Sequence, residues 1–333
     1  MPEFEFHGGF ADLAVSTRIR LARNFKGYPY GDRADQKQIA DKVWNAIQSA
    51  PVIAKEFKMT EIKAGSSEGL AKVETHQISP EFAQKGGYLI ANENGNISIM
   101  IGEEDHMRLQ VMGSGFCPKE CMQEASRLVT LIESQIPMDY DQNLGYLTAC
   151  PSNLGTGLRA SVMLHLPMLE SAGGISELVN LASRQGFTVR GAYGEGSRAV
   201  GSFYQLSNQI TLGISEDNII EKLIALCTDV IEKEKNMRHR LSNQNEIDFT
   251  DRICRAVGTL KTARKIQTNE AIDCLSMVLI GFSVGYLKGI EPEQIWKTEQ
   301  RIQPAVIGKT ANERDKERAK ILRDLTKQLE III

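Results

Sequence analysis

The hydrophobic positions of this chain change period along its length, and the period assigns most of its elements. From Ala14 to Leu21, Val15, Thr17, Ile19 and Leu21 alternate with Ser16, Arg18 and Arg20. That pattern predicts a half-buried strand with two arginines on its polar face. Asp32 to Gln48 places Ile39, Val43, Trp44 and Ile47 on one stripe, an amphipathic helix. Gly86 to Gly102 reads as a hairpin, with Tyr88-Leu89-Ile90 and Ile97 to Ile101 flanking a turn at Asn94-Gly95. Met107, Leu109 and Val111 alternate again, and Pro118 to Ser134 reads as a helix with Leu128, Val129 and Ile132 inward. Val162 to Leu166, Phe187 to Arg190 and Phe203 to Leu212 are further strands, with a helix over 170–185 that carries Gly173-Gly174 near its start. Ser215 caps a long apolar-striped helix running to about Arg240. Beyond about Ser242 there is no strand signal, and 248–257, 268–281, 292–301 and 312–329 read as helices. The expected architecture is α+β: an antiparallel sheet with helices on one face, which leaves the other face open, over residues 1–242. A small all-helical domain follows over 243–333.

Composition narrows the class without naming a chemistry. The 333 residues are 42% hydrophobic and 24% charged, ordinary values for a globular protein. A net charge of −3 gives no electrostatic argument for nucleic acid. No apolar run reaches the roughly 20 residues of a membrane helix, and the first residues are acidic where a signal peptide is basic. The six cysteines form no Cys-x-x-Cys pair, so they are expected to be reduced, in a cytoplasmic protein without a structural metal.

The stretch most like a site is Cys150-Pro151-Ser152-Asn153-Leu154-Gly155-Thr156-Gly157-Leu158-Arg159-Ala160-Ser161-Val162. A Pro and two Gly break any regular element through its middle, and a thiol, hydroxyls and a guanidinium surround them. Read alone it is equally an ordinary loop with a buried, inert thiol. Three other stretches go with it: Ser16-Thr17-Arg18-Ile19-Arg20, Glu103-Glu104-Asp105-His106-Met107-Arg108, and Arg190-Gly191-Ala192-Tyr193-Gly194-Glu195-Gly196-Ser197. In this order the four resemble the catalytic domain of the ATP:guanidino phosphotransferase (phosphagen kinase) family, with its glutamine-synthetase-like fold. The Tyr193-Gly194-Glu195-Gly196 wording and Arg314-Asp315-Lys316-Glu317-Arg318-Ala319 resemble its bacterial protein-arginine kinase branch.

Phosphoryl transfer needs positioning and cations around the triphosphate, and the fixed fork of arginine matches phosphate oxygens. The resemblance implies that ATP is held by Ser16, Thr17, Arg18, Ile19, Arg20, His76 and Arg108. It adds Arg159, Ala160, Ser161, Val162 and Met163, and Arg190, Gly191, Ala192, Tyr193 and Gly194. Mg²⁺ would travel with the nucleotide, held by phosphates and water. A guanidinium is a poor nucleophile at neutral pH, so a carboxylate must orient it and accept its proton. Glu104 resembles the family's catalytic carboxylate, with Glu103 and Asp105 beside it, either catalytic or supporting the arginines through ion pairs. Cys150 resembles the substrate-side cysteine.

Two departures matter. Arg198 stands where the family carries a second catalytic Glu, so Glu195 is the candidate to replace it; Gly102 stands where Asn is common. The separate N-terminal helical domain of small-guanidino kinases has no room before Ser16, which favours a protein arginine as acceptor. Arg314, Asp315, Arg318 and Ala319 would form the phosphoarginine pocket of that branch, or else a charge-laced helix face. The resemblance further implies protein substrates, an activator protein, a Clp unfoldase–protease partner and a homodimer. The alternatives are a small-molecule guanidino kinase and a catalytically weak phosphoarginine-binding scaffold.

Overall fold

The computed structural model describes residues 6–192, 199–244 and 246–332. The chain opens with β1 (Ala14–Arg23), α1 (Gln36–Gln48), α2 (Pro51–Ala54), β2 (Phe57–Ile62), α3 (Ser67–Glu74) and α4 (Pro80–Lys85). It continues with β3 (Gly87–Asn92), β4 (Ile97–Ile101), β5 (Met107–Ser114), α5 (Pro118–Glu133) and a ribbon of β6 (Tyr140–Asp141) and β7 (Gly145–Tyr146). Then come β8 (Leu158–His165), α6 (Pro167–Ser171), α7 (Ile175–Arg184), β9 (Phe187–Gly191), β10 (Phe203–Asn208) and α8 (Glu216–Gln244). The C-terminal part holds α9 (Glu246–Thr262), α10 (Thr268–Ser283), β11 (Leu287–Lys288), α11 (Pro292–Arg301), α12 (Pro304–Ile307), α13 (Ala311–Leu325) and β12 (Glu330–Ile331).

Eight strands form one antiparallel sheet in the order β2-β3-β4-β5-β1-β8-β10-β9. The strand bearing Arg18 and Arg20 is therefore central, between β5 and β8, and not an edge. Its odd positions from Thr17 to Leu21 are buried, and Ile19 and Leu21 enter the main core with α1, α5 and α8 behind them.

Several boundaries differ from the sequence pattern for clear reasons. The helix expected over 170–185 is two, α6 and α7, because Gly173 takes φ 74° and turns the chain between them. Strand β10 stops at Asn208, whose side chain turns inward to bond the Ala160 amide and the Leu158 carbonyl of β8. The C-terminal part is not purely helical: β11 and β12 pair antiparallel, two residues each, too short to carry a period.

The second face of the sheet is open only at one end. A second core joins α9, α10, α11 and α13 to Val15, Met168 and Phe203. The C-terminal helices thus cover the Ser16–Met163–Phe203 end of the face and leave the Arg20–Arg108–Arg159 end clear.

Candidate active site

Directly paired residues of an antiparallel ladder share a face, so the register alone gathers the arginines. Arg20 lies opposite Arg159 on one side and Gln110 on the other, Ala22 opposite Arg108, and Arg18 opposite Ser161 and Met112. Arg190 joins from β9 through Gln205, which pairs with Met163. Arg20, Arg108, Arg159 and Arg190 line a cavity of about 440 Å³ together with Glu103, Glu104 and Cys150.

The cations crowd one another. Burial pushes the Arg20 guanidinium well below its usual range, and Arg18, Arg108 and Arg159 push it further, against the pull of Glu103. The Arg20 Nε is buried and has no hydrogen-bond partner among the described residues. Arg159 is lowered too, by burial first and then by Arg190 and Arg108, with Cys150 acting the other way. Such a cluster is complementary to a polyanion, which would relieve the repulsion and satisfy the orphaned donor.

The acidic run after β4 divides its labour. Glu103 is buried; its Oε2 is 2.5 Å from the Arg108 Nη1, and its Oε1 accepts from the Ser79 hydroxyl. Burial raises its pKa, opposed by Arg108 and Ser79. Its geometry is that of a residue that orients Arg108. Glu104 is exposed on the cavity wall. Asp105 points the other way and fastens the cysteine loop. It accepts from the Ala149 amide (2.7 Å), the Asn24 side chain (2.8 Å) and the Asn153 side chain (3.1 Å).

That loop is held from beneath as well. Arg23 is buried, donates to the Thr156 carbonyl at 2.8 Å and pairs with Glu216, and its guanidinium lies 3.6 Å over the Tyr146 ring. Gly157 has φ 59°, and a Cβ there would meet the Ala22 carbonyl at 2.5 Å. The loop therefore approaches β1 closely enough to deliver Cys150 and Arg159 to one cavity. The Cys150 Sγ lies 3.1 Å from the Ser152 hydroxyl.

The family described as ATP:guanido phosphotransferase, C-terminal catalytic domain, matches residues 37–237, and the protein-arginine kinase McsB C-terminal domain matches residues 246–331. This chain belongs to the ATP:guanido phosphotransferase family. A protein-arginine kinase of Bacillus cereus (strain AH187) is 37% identical over 97% of this chain and 95% of its own length. One of Halothermothrix orenii is 40% identical over 94% and 92%. A solved lombricine kinase is 25% identical and superposes with a TM-score of 0.59 over 70% of this chain and 69% of its own.

A guanidino phosphotransferase needs cations for phosphate and a carboxylate for its acceptor, and the cavity holds four arginines beside the exposed Glu104. Not all of the expected nucleotide residues reach it. Thr17, Ile19, Ala160 and Val162 turn their side chains to the opposite face, where they are buried, because alternation sends every second residue of β1 and β8 into the core. Thr17 instead donates to the Gly115 carbonyl and accepts from the Cys117 amide. Ser16, Arg18, His76, Ser161 and Met163 share the arginine face but lie at its covered end. Gly191 ends β9 and Ala192 follows it, both partly buried. Tyr193, Gly194, Glu195, Gly196, Ser197 and Arg198 lie outside the described residues.

In α13, Arg318 is an interior residue: its Nε donates to the Ile302 carbonyl, and its Nη1 to the Ile266 carbonyl and to Asp315. Ala319 is buried beside it. Arg314 and Asp315 are the half-buried members of that motif, with the Arg314 Nη1 donated to the Lys309 carbonyl.

Sequence reasoning missed Asn24, Arg23 and Ser79, which position rather than line the cavity. Asn24 also accepts from the His106 amide, and the His106 ring accepts from the Phe25 amide and reaches the Pro29 carbonyl. Single polar residues next to apolar runs carry no periodic signal.

Proposed function

We propose that the chain is a protein-arginine kinase: ATP plus a protein arginine gives ADP plus a protein phosphoarginine. The observation that carries it is the meeting of Glu104 and Cys150 with Arg20, Arg108, Arg159 and Arg190 around one cavity. The arginines would hold the triphosphate, and bound nucleotide supplies the phosphoryl group together with its Mg²⁺. Glu104 binds the acceptor guanidinium and takes its proton as the nitrogen attacks phosphorus. Glu103 keeps Arg108 aimed at the phosphates, and Asp105 keeps Cys150 beside the acceptor. Residues 1–242 are the catalytic unit and 243–333 a C-terminal unit whose Arg314 and Asp315 engage phosphoarginine, Arg318 and Ala319 shaping that pocket from inside.

Two supports favour a protein acceptor over a free guanidino compound: the relatives named protein-arginine kinase, and the C-terminal match, which spans residues 246–331. The family resemblance extends the reading to a cytoplasmic homodimer working with an activator protein and a Clp unfoldase–protease.

Incubation with Mg-ATP and either free arginine or an arginine-rich protein separates the acceptors; acid-labile phosphate on the protein is the expected product. Glu104→Ala should abolish it. The resemblance sets Arg198 where the family carries a second catalytic Glu, so Arg198→Glu should raise the rate by restoring a carboxylate that can orient the acceptor and take its proton. Phosphate on the free amino acid alone, or an unaffected Glu104→Ala protein, would refute the assignment.

A further inference from the structure

The two ends of the arginine face differ in a way the family assignment does not explain. At the Arg20 end the cavity is about 440 Å³. At the Arg18 end, the gap enclosed by Ser16, Arg18, His76, Ser161, Met163 and Gln205 is only about 30 Å³. That holds about one water, whereas ligand pockets run to about 300–1,000 Å³. Both ends lie on one face of the sheet, on the strands β1, β5 and β8. Met112, which borders the gap, is four residues along β5 from Arg108, about 13 Å at the usual strand rise.

What fills the closed end is Trp296 of α11. Its indole stacks on the His76 imidazole, with centroids 5.8 Å apart and planes 5° from parallel, and it packs against Phe203 at 6.3 Å. Trp296 is 6% exposed. The backbone that carries the partner ring is pinned: the Gln110 side chain donates to the His76 carbonyl at 2.7 Å, and His76 holds φ 60°. The first turn of α11 and the following helix α12 are each tied down. The Glu74 carboxylate accepts from the Ala305 and Val306 amides of α12, and His7 meets Glu293 of α11 at 3.1 Å.

We propose that Trp296 gates the nucleoside end of the site: the C-terminal unit seats this indole where the base and ribose of a nucleotide must enter, and nucleotide binding displaces it. The proposal rests on reading the arginine face as a nucleotide site. Phosphates reach Arg20, Arg108, Arg159 and Arg190 with the gate shut, whereas the nucleoside reaches His76, Ser161 and Met163 only once α11 moves. The apparent affinity for ATP is then its intrinsic affinity scaled by the open fraction, while inorganic tripolyphosphate is indifferent to the gate.

The chain has two tryptophans, and Trp44 belongs to the other core. In a Trp44→Phe protein the fluorescence reports Trp296 alone. ATP should shift its emission to the red as the indole enters water, and tripolyphosphate should leave it unmoved. By calorimetry, Trp296→Ala should bind ATP several-fold more tightly than the parent, with tripolyphosphate affinity unchanged. Glu74→Gln, which weakens the α12 clamp without touching the groove, should shift ATP affinity in the same direction. An emission maximum unmoved by ATP overturns the gate. So does Trp296→Ala binding ATP equally or more weakly, or ATP and tripolyphosphate changing in step. If the parent binds tripolyphosphate but Arg159→Ala binds it as well, the site reading fails. If the parent responds normally in that test while Trp296→Ala shows no gain, only the gate fails.

Discussion

Removing the Asp105 carboxylate tests whether the cysteine loop is held from the acidic run. Asp105 is 2% exposed and accepts three hydrogen bonds at 2.7–3.1 Å, from the Ala149 amide and the side chains of Asn24 and Asn153. Bonds to a charged acceptor are worth about 1.5–3 kcal/mol each, so a simple sum is roughly 4.5–9 kcal/mol. The true loss is smaller. Asn24 keeps a second bond, to the Leu147 carbonyl at 3.1 Å, and a released loop rehydrates its own amides. Asp105→Ala should therefore cost about 2–4 kcal/mol. In urea, at an m of about 3 kcal/mol per M, the midpoint falls by about 1 M with m unchanged. Turnover should fall together with stability, because the same loop carries Cys150 and leads into Arg159. ATP affinity should fall less than turnover, because Arg20, Arg108 and Arg190 stay in place. A midpoint within about 0.2 M of the parent and an unchanged rate would refute the argument that Asp105 fastens the loop.

Three further outcomes are expected. Arg159→Ala should weaken ATP by about 1.5–3 kcal/mol, roughly 10–150-fold, by calorimetry; unchanged affinity and turnover would make Arg159 structural. Gly113→Ala should destabilise by about 1–3 kcal/mol, because its Cβ would lie 2.3 Å from the Cys117 Sγ and 2.9 Å from the Cys121 Sγ; a thermal melt at the parent temperature would count against that packing. His76 is held down to about 4, by burial first and then by Arg18. The unfolded chain thus binds a proton that the folded one refuses between pH 6.5 and 4, so this contribution is complete above pH 6.5 and falls as pH drops towards 4. It is on the order of 2 kcal/mol for a half-buried ring, and His76→Gln should flatten the stability–pH slope across that window.

Much of the sheet is legible because its faces differ in chemistry. Thr17, Ile19 and Leu21 on one side and Arg18 and Arg20 on the other declare both a strand and its orientation. The hairpin at Asn94-Gly95 is equally plain, since Gly95 takes φ 69°. Local pattern is weaker at β2, α2, α3 and α4, which the period did not resolve: their runs are four to eight residues long, and a short run does not discriminate between periods.

The motifs name the site residues, but one-dimensional order cannot say which face each serves or what lies over it. That Thr17 and Val162 point into the core follows from register. That Glu103 serves Arg108 while Asp105 serves the Cys150 loop follows from the direction of a chain turning after β4. The separation of an open arginine end from a covered end depends on α11, far from β1 in sequence, laying Trp296 on His76. The sequence by itself determined the period of each long element, the positive charge of one sheet face and the order of the motifs, because these are properties of neighbouring residues. Only the tertiary structure decided which charges meet and which end of the groove is shut, because those depend on strand pairing and helix docking between distant segments.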